Sequence, residues 1–212
     1  MQEQTTPSSH RDPDLDLIEA FRRGEEGAFD GLVHRHEGRV YRLACRLLGD
    51  SDAALDASQE AFVKAWKALP RFKGDARFST WLTRIAINQC RNDLRQRRTV
   101  KHTQPLSLDA PPPRSGGASG DGDRSPVGDG VPSRDAEPWE MARGREVSAA
   151  IHAAVDRLDP EAREVLLLRD AEDVSYEEIA EILDVPVGTV RSRLHRARAD
   201  VRRHMGGVLK DG

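Results

Sequence analysis

SYEEIAEILDVPVGTVRSRLHRARADVRR, residues Ser175–Arg203, is the stretch that decides the fold. It reads as two short helices broken at Leu183-Asp184-Val185-Pro186, where Asp184 tolerates a left-handed backbone and Pro186 suits the first turn of the next helix. Ser175 can cap the first helix, with Glu178 three residues on reaching back in a capping box. Ile179 and Leu183 share a face of that helix. In the second helix Val190, Leu194, Ala197 and Val201 recur at spacings of four, three and four, forming an apolar stripe that can close over the first. The pattern is a helix-turn-helix.

From Thr189 to His204 six arginines (Arg191, Arg193, Arg196, Arg198, Arg202, Arg203) face one acid, Asp200. A whole-chain net charge of −3 therefore hides a strongly basic helix, the electrostatic footprint of phosphate contact. A merely solvated basic face would carry the same charge. The tight turn, the capping box and the arginines taken together favour DNA. Arg191, Ser192, His195 and Arg196 lie toward the helix start and off the apolar stripe, where a helix entering the major groove places its base-reading side chains. Arg193, Arg198 and Arg202 are assigned to phosphates.

The wording of this stretch adds to its physics. EEIAEILDVPVGTVRSRLHRAR resembles region 4, the promoter-reading domain of the extracytoplasmic-function (ECF) sigma factors, small members of the sigma-70 family of bacterial transcription initiation factors. Asp184 stands at a turn position where that family often has glycine.

Working back toward the start, residues 102–140 hold seven prolines and six glycines, with seven acids against three bases and no helical or strand period. This composition describes an extended, flexible linker. A passive tether that raises local concentration is one role for it. The resemblance implies another, a path through the polymerase near template and nascent RNA. Beyond the linker, Val147, Ile151, Ala154 and Val155 mark a helix over about 146–158, and Asp159-Pro160 starts the helix bearing Val165, Leu166 and Leu168.

Ahead of the linker four helices are expected. Asp14 is read as the cap of the first, with Leu15, Ile18 and Phe21 on its apolar side; the second runs over about 25–48 and closes at Gly49-Asp50. The third, over about 51–69, carries Ala54, Ala61, Phe62, Ala65, Trp66 and Leu69 as its deep face and an acidic exposed start. The fourth, over about 79–98, begins a basic segment: Arg77 to Lys101 holds seven basic residues and one acid, with Phe78 and Trp81 beside them. Arginines for the backbone and rings for unstacked bases are what single-stranded DNA binding requires. Asn88 and Asn92 lie one turn apart on the polar face.

ALDASQEAFVKAWKALPRFKGDARFSTWLTRIAINQCRNDLRQRR is similar to region 2 of the same sigma factors. The two resemblances stand in the right order and cover most of the chain. They imply an all-α protein of two small helical domains joined by a long flexible linker: a tail at 1–13, region 2 at 14–100, the linker at 101–140, region 4 at 141–205 and a tail at 206–212. They imply core RNA polymerase and promoter DNA as partners, duplex at the −35 element and single-stranded at −10, with an anti-sigma factor as a further partner. Strand capture falls to Lys73, Arg77, Phe78, Asn88, Arg91, Asn92 and Arg95, and polymerase binding centres on Asp56, Gln59 and Glu60. Ala53, Leu55 and Ser58 stand where the family commonly has acidic or bulkier residues.

Other classes find little support. No nucleophile-base pair, GxGxxG or Walker loop is present, so neither catalysis nor a cofactor or small-molecule substrate is expected. His34 and His36 are two apart and face different ways, which argues against a metal site. Cys45 and Cys90 sit within apparent helices and read as packing residues. With neither a membrane-length apolar run nor a signal-peptide pattern, the cytoplasm is expected, with an anti-sigma factor able to hold the chain at the membrane's inner face. A two-domain transcriptional regulator that binds duplex DNA by itself and senses a signal with its N-terminal part, and a protein-binding adaptor with an inert C-terminal domain, are the alternatives. The interleaved arginines and aromatics at 72–98 argue against both.

Overall fold

The computed structural model describes residues 12–103 and 138–206. Among the described residues there are eight α-helices and no strand. They are α1 (Leu15–Arg22), α2 (Ala28–Leu48), α3 (Ser51–Ala68), α4 (Phe78–Thr103), α5 (Pro138–Asp156), α6 (Pro160–Leu166), α7 (Tyr176–Leu183) and α8 (Val187–Met205). A 3-10 turn, Leu69–Arg71, follows α3, and a π turn, Leu167–Ala171, follows α6. The central part of the expected linker and most of both expected tails lie outside the described residues. At its two ends that linker is helical, since α4 runs on to Thr103 and α5 begins at Pro138.

Local chemistry accounts for most of the helix ends. Gly27 and Gly49 bound α2 with φ of 79° and 68°, values that favour glycine, and the first of them moves the start of α2 from the expected residue 25 to Ala28. Asp50 caps α3, its carboxylate accepting from the Asp52 and Ala53 N–H groups at 3.0 Å each. The Ala53 N–H, then Arg97, hold that carboxyl below its usual range. Asp159 accepts from Glu161 N–H at 3.0 Å and opens α6, with Pro160 in its first turn.

Asp14 does not cap α1 through its side chain. Its carboxylate is drawn instead to two bases on α2, Arg35 Nη1 at 2.5 Å and His36 Nε2 at 2.8 Å, and is buried there. The two bases outcompete the cap because Asp14 is itself buried, where an unpaired carboxylate is costly. Asp12 beside it accepts the Phe78 N–H at 2.6 Å, so the chain just before α1 caps α4 from a distance.

The N-terminal module packs α1–α4 around Ile18, Leu32, Ala61, Phe62, Phe78 and Leu82. In the C-terminal module, Val190, Leu194 and Ala197 of α8 bury against Ile179, Ile182 and Leu183 of α7, with Val165, Leu166 and Leu168 beneath. The second core does not stop at the module's edge. It continues into Leu43, Leu47, Ala54, Ile87 and Cys90 of the N-terminal module, so the two modules are docked, with α7 against α4.

Candidate nucleic-acid interface

The helix-turn-helix is built as its residues dictate. Ser175 Oγ accepts from the Glu178 N–H at 3.2 Å while Glu178 Oε2 accepts from the Ser175 N–H at 3.2 Å, closing the capping box. Asp184 ends α7 in the left-handed conformation at φ 56°, a place an Asp accepts because its short polar side chain tolerates it. Pro186 sits one residue earlier than the first helical turn, at the N-cap of α8.

Arg191, Ser192, His195 and Arg196 are all exposed on the first half of α8, on one side of the helix. The Arg191 guanidinium lies 5.9 Å from the centre of the Tyr176 ring, and Arg196 Nε donates to Ser192 O at 3.4 Å. The flanking arginines differ. Arg193 is turned toward α6 and pairs with Glu161 at 2.5 Å, its side chain 19% exposed, so it reaches a phosphate only by giving up that pair. Arg198 grips Asp170 through Nε at 3.1 Å and Nη2 at 2.5 Å, which raises its already high pKa, and it remains at the surface. Arg202 is exposed.

On α4, Arg77 at its threshold, then Arg84, Asn88, Asn92 and Arg95, present a polar and basic ridge of exposed side chains, and Lys73 is exposed in the loop before it. Arg91 belongs to this ridge by spacing but is half-buried, held by Glu164 of α6. Phe78 does not belong to it. Expected to meet unstacked bases, it is 0% exposed, clasped by Phe72, Trp81 and His36 with ring centres 6.1, 5.7 and 5.4 Å away. The reason is helical spacing: Phe78, Leu82, Ala86 and Cys90 recur every four residues and are all buried, so Phe78 heads the inward stripe of α4. Trp81 is the half-exposed ring on this face.

The exposed side of α3 carries Asp56, Gln59 and Glu60 as expected, together with an apolar row that sequence spacing assigns differently. Leu55, Val63 and Trp66 are 50%, 43% and 52% exposed. Trp66, read as part of the deep face, is therefore on the outside. The other residues of the expected deep face, Ala54, Ala61, Phe62, Ala65 and Leu69, are buried, and Ala57 and Ser58 join them.

The described residues contain no group of three His, Cys, Asp and Glu side chains that could hold a metal, and no helix long and apolar enough to cross a membrane. Cys90 is 2% exposed, and burial, followed by the Asp93 and Glu164 carboxylates, pushes its thiol up to about 12. A raised folded value means the neutral thiol stabilises the fold fully below pH 9.0, its ordinary value here, and this contribution is lost as pH climbs toward 12. At pH 8 iodoacetamide is expected to modify Cys90 in the native chain at least ~100-fold more slowly than in denaturant. Mass spectrometry of the alkylated peptides measures this, and equal rates would mean that the packing around Cys90 opens freely.

Models of two families match the chain in sequence order, sigma-70 region 2 over residues 32–100 and sigma-70 region 4 over residues 148–201. RNA polymerase sigma-H factor of Pseudomonas aeruginosa is 38% identical over 95% of this chain and 98% of its own length. ECF RNA polymerase sigma-E factor of Escherichia coli is 36% identical over 86% of this chain and 88% of its own. The chain belongs to the ECF sigma factors of the sigma-70 family.

Among solved structures this sigma factor is similar to CnrH in complex with the cytosolic domain of CnrY, at 27% identity and a TM-score of 0.60, covering 92% of this chain and 97% of that one. RpoE of Bartonella quintana, in complex with the anti-sigma factor NepR, shares the fold at 21% identity and a TM-score of 0.60, over 85% and 98% of the two chains. Region 2 of the sigma factor thus spans α2–α4 and region 4 most of α5–α8. Sequence reading passes over three features. Arg84 lies within the α4 ridge, between Arg77 and Asn88, and is legible from spacing alone; the outward apolar row on α3 and the acids Glu164 and Glu172 are defined only by tertiary packing.

Proposed function

We propose that this sigma factor binds core RNA polymerase and directs it to a set of promoters, reading the −35 element as duplex and holding the −10 element as separated strand. The carrying observation is the pair of ridges on one chain. Arg191, Ser192, His195 and Arg196 project from the start of α8, and Lys73, Arg77, Arg84, Asn88, Asn92 and Arg95 line α4 and its approach. Arg91 joins the second ridge once its carboxylate partner leaves, and Phe78 supports it from beneath. The guanidinium of an arginine takes a guanine edge in two hydrogen bonds, whereas the amides on α4 meet base edges or sugar-phosphate of an unstacked strand.

Melting needs no hydrolysis by this chain. Preferential binding of unpaired bases draws the equilibrium toward the open duplex, and nucleotide addition belongs to the polymerase. Polymerase would dock on α3 around Asp56, Gln59 and Glu60 and the apolar row beside them. Both partners lie in the cytoplasm, which is where the chain is placed. An anti-sigma factor is the natural inhibitor, as the complexes of CnrH and of Bartonella quintana RpoE illustrate for those proteins. The test is promoter-dependent run-off transcription with purified bacterial core polymerase and genomic fragments. Discrete start sites that require the chain support the reading, and their absence on every fragment refutes it.

Within that reading, Arg196→Ala is expected to cost about 1–3 kcal/mol at the matched −35 sequence and much less on scrambled DNA. Competition footprinting at fixed salt separates the two. Equal weakening on all sequences would make Arg196 a phosphate contact.

A further inference from the structure

The loop that leads into α4, residues 73–77, carries Lys73 and Arg77 and has little structure of its own. Lys73, Asp75 and Arg77 are exposed, and among the described residues no hydrogen bond or ion pair holds their side chains. Gly74 turns at φ 80° with nothing within 4 Å of where a Cβ would stand, so it answers to backbone conformation and not to close packing. What fixes the loop lies at its two ends. Both ends are tied to α1 and the chain just before it.

Phe72 and Phe78 bury their rings edge to face and close the base of the loop. On one side Arg22, the last residue of α1, donates through Nη2 to Phe72 O. On the other, the N–H of Phe78, the first residue of α4, donates to Asp12 Oδ2 at 2.6 Å. These ties join residues 50 and 66 positions apart, so they are tertiary struts and not local caps. Asp12 is itself held. Its Oδ1 accepts the Asp14 N–H at 3.1 Å, and its carbonyl accepts the Leu15 N–H at 3.1 Å. One residue on, Pro13 O accepts Arg35 Nη1 at 2.9 Å, and Asp14 is sunk against Arg35 and His36 of α2. The strut at Phe78 therefore stands on α2.

We infer that Asp12 and Arg22 are positioning residues for strand capture: without touching DNA, they pin the two ends of loop 73–77 and hold Lys73 and Arg77 in place for the separated strand. The inference rests on the sigma-factor reading above and deepens it. A loop braced before binding meets the strand with little ordering left to do, whereas a slack one must be ordered at each encounter. Phosphate contacts tolerate a displaced loop because charge acts over distance; base-edge hydrogen bonds do not. Loosening the braces should therefore reduce discrimination between sequences more than it reduces overall affinity. A role in stability alone would lower the unfolding midpoint and leave the discrimination of the folded molecules intact.

The experiment uses the full chain with Asp12→Ala and Arg22→Met, which remove the struts, and Asp12→Asn and Arg22→Lys, which keep an acceptor and a donor. Glu25→Gln, which removes an exposed acid paired to Arg23, is the control for charge at this end of α1. Hydrogen exchange read by mass spectrometry over residues 72–80 measures the bracing. Anisotropy of two fluorescein-labelled single strands measures discrimination: the −10 sequence upstream of a start site located by run-off transcription, and the same bases scrambled. All binding is measured well below each variant's unfolding midpoint.

Asp12→Ala and Arg22→Met are each expected to speed exchange over 73–80 and to lower the matched-to-scrambled affinity ratio about fivefold, the effect of losing one helix cap. Affinity for the scrambled strand should change by less than about twofold, since its phosphate contacts remain. Asp12→Asn and Arg22→Lys are expected to restore both readouts, and Glu25→Gln to alter neither. Native exchange in both truncated variants overturns the inference, as does a slack loop with a native ratio or an equal loss on both strands. Asp12→Asn behaving as Asp12→Ala would also overturn it, because charge and not the strut would then be at work. Failure of the sigma-factor reading appears separately, as a wild type that supports no start site, and the exchange measurement still tests the bracing in that case.

Discussion

Phe78→Ala is expected to destabilise the N-terminal module by about 3–5 kcal/mol, a large share of the roughly 5–15 kcal/mol that holds a domain of this kind together. The ring is fully buried at the first turn of α4, set edge-on to Phe72 with an interplanar angle of 90° and tilted against Trp81 and His36. Its removal leaves a cavity that rigid helix backbones cannot fill, and it also forfeits the aromatic contacts, each worth about 0.5–1.5 kcal/mol beyond burial. His36 would lose the apolar wall beside its bond to the buried Asp14. Phe78→Leu keeps most of the volume and is expected to cost less than half as much. Urea unfolding followed by circular dichroism measures both. An alanine variant with a native midpoint but weakened single-strand binding would return Phe78 to the role that its neighbourhood of arginines first suggests.

That reversal shows where sequence reading works in this fold and where it stops. The capping box of Ser175 and Glu178, the left-handed Asp184 and the Asp159-Pro160 start are governed by interactions within three or four residues, so they are legible in the sequence and are met in the structure. At the start of α4 the composition misleads. Phe78 and Arg77 are neighbours, one wholly inside and the other exposed, and the spacing of four that joins Phe78 to Leu82 and Ala86 assigns it to the core in spite of the arginines around it. Asp14 likewise has the composition of a cap, yet Arg35 and His36, more than twenty residues away, claim its carboxylate.

On α3 the misleading signal is size. Phe62 and Trp66 are the largest apolar residues and sit one turn apart, which makes them the obvious core pair, but only Phe62 joins the alanines in the core and Trp66 falls outside it. Glu164 and Glu172 pass for surface acids because nothing near them in the sequence is basic in a telling pattern. Their partners lie 73 and 126–133 residues away. Long-range ion pairs of this sort have no local signature.

Because Trp66 is outside, its replacement tests binding without testing folding. Trp66→Ala is expected to leave the unfolding midpoint nearly unchanged and to weaken association with core polymerase by about 2–4 kcal/mol, some 30-fold or more. A half-exposed tryptophan beside Leu55 and Val63 makes an apolar row that a monomer in isolation has no reason to keep. Flanking acids at Asp56 and Glu60 give it a charged rim. Interfaces of that form draw most of their energy from the desolvated aromatic anchor and use the rim for steering, so Asp56→Asn should slow association and flatten its salt dependence at a smaller cost in affinity. Fluorescence polarisation of the labelled chain against purified core polymerase, at two salt concentrations, resolves both effects. A tryptophan variant within twofold of wild type would move the docking surface off this face of α3, and the run-off assay would then locate it by scanning the remaining exposed helices.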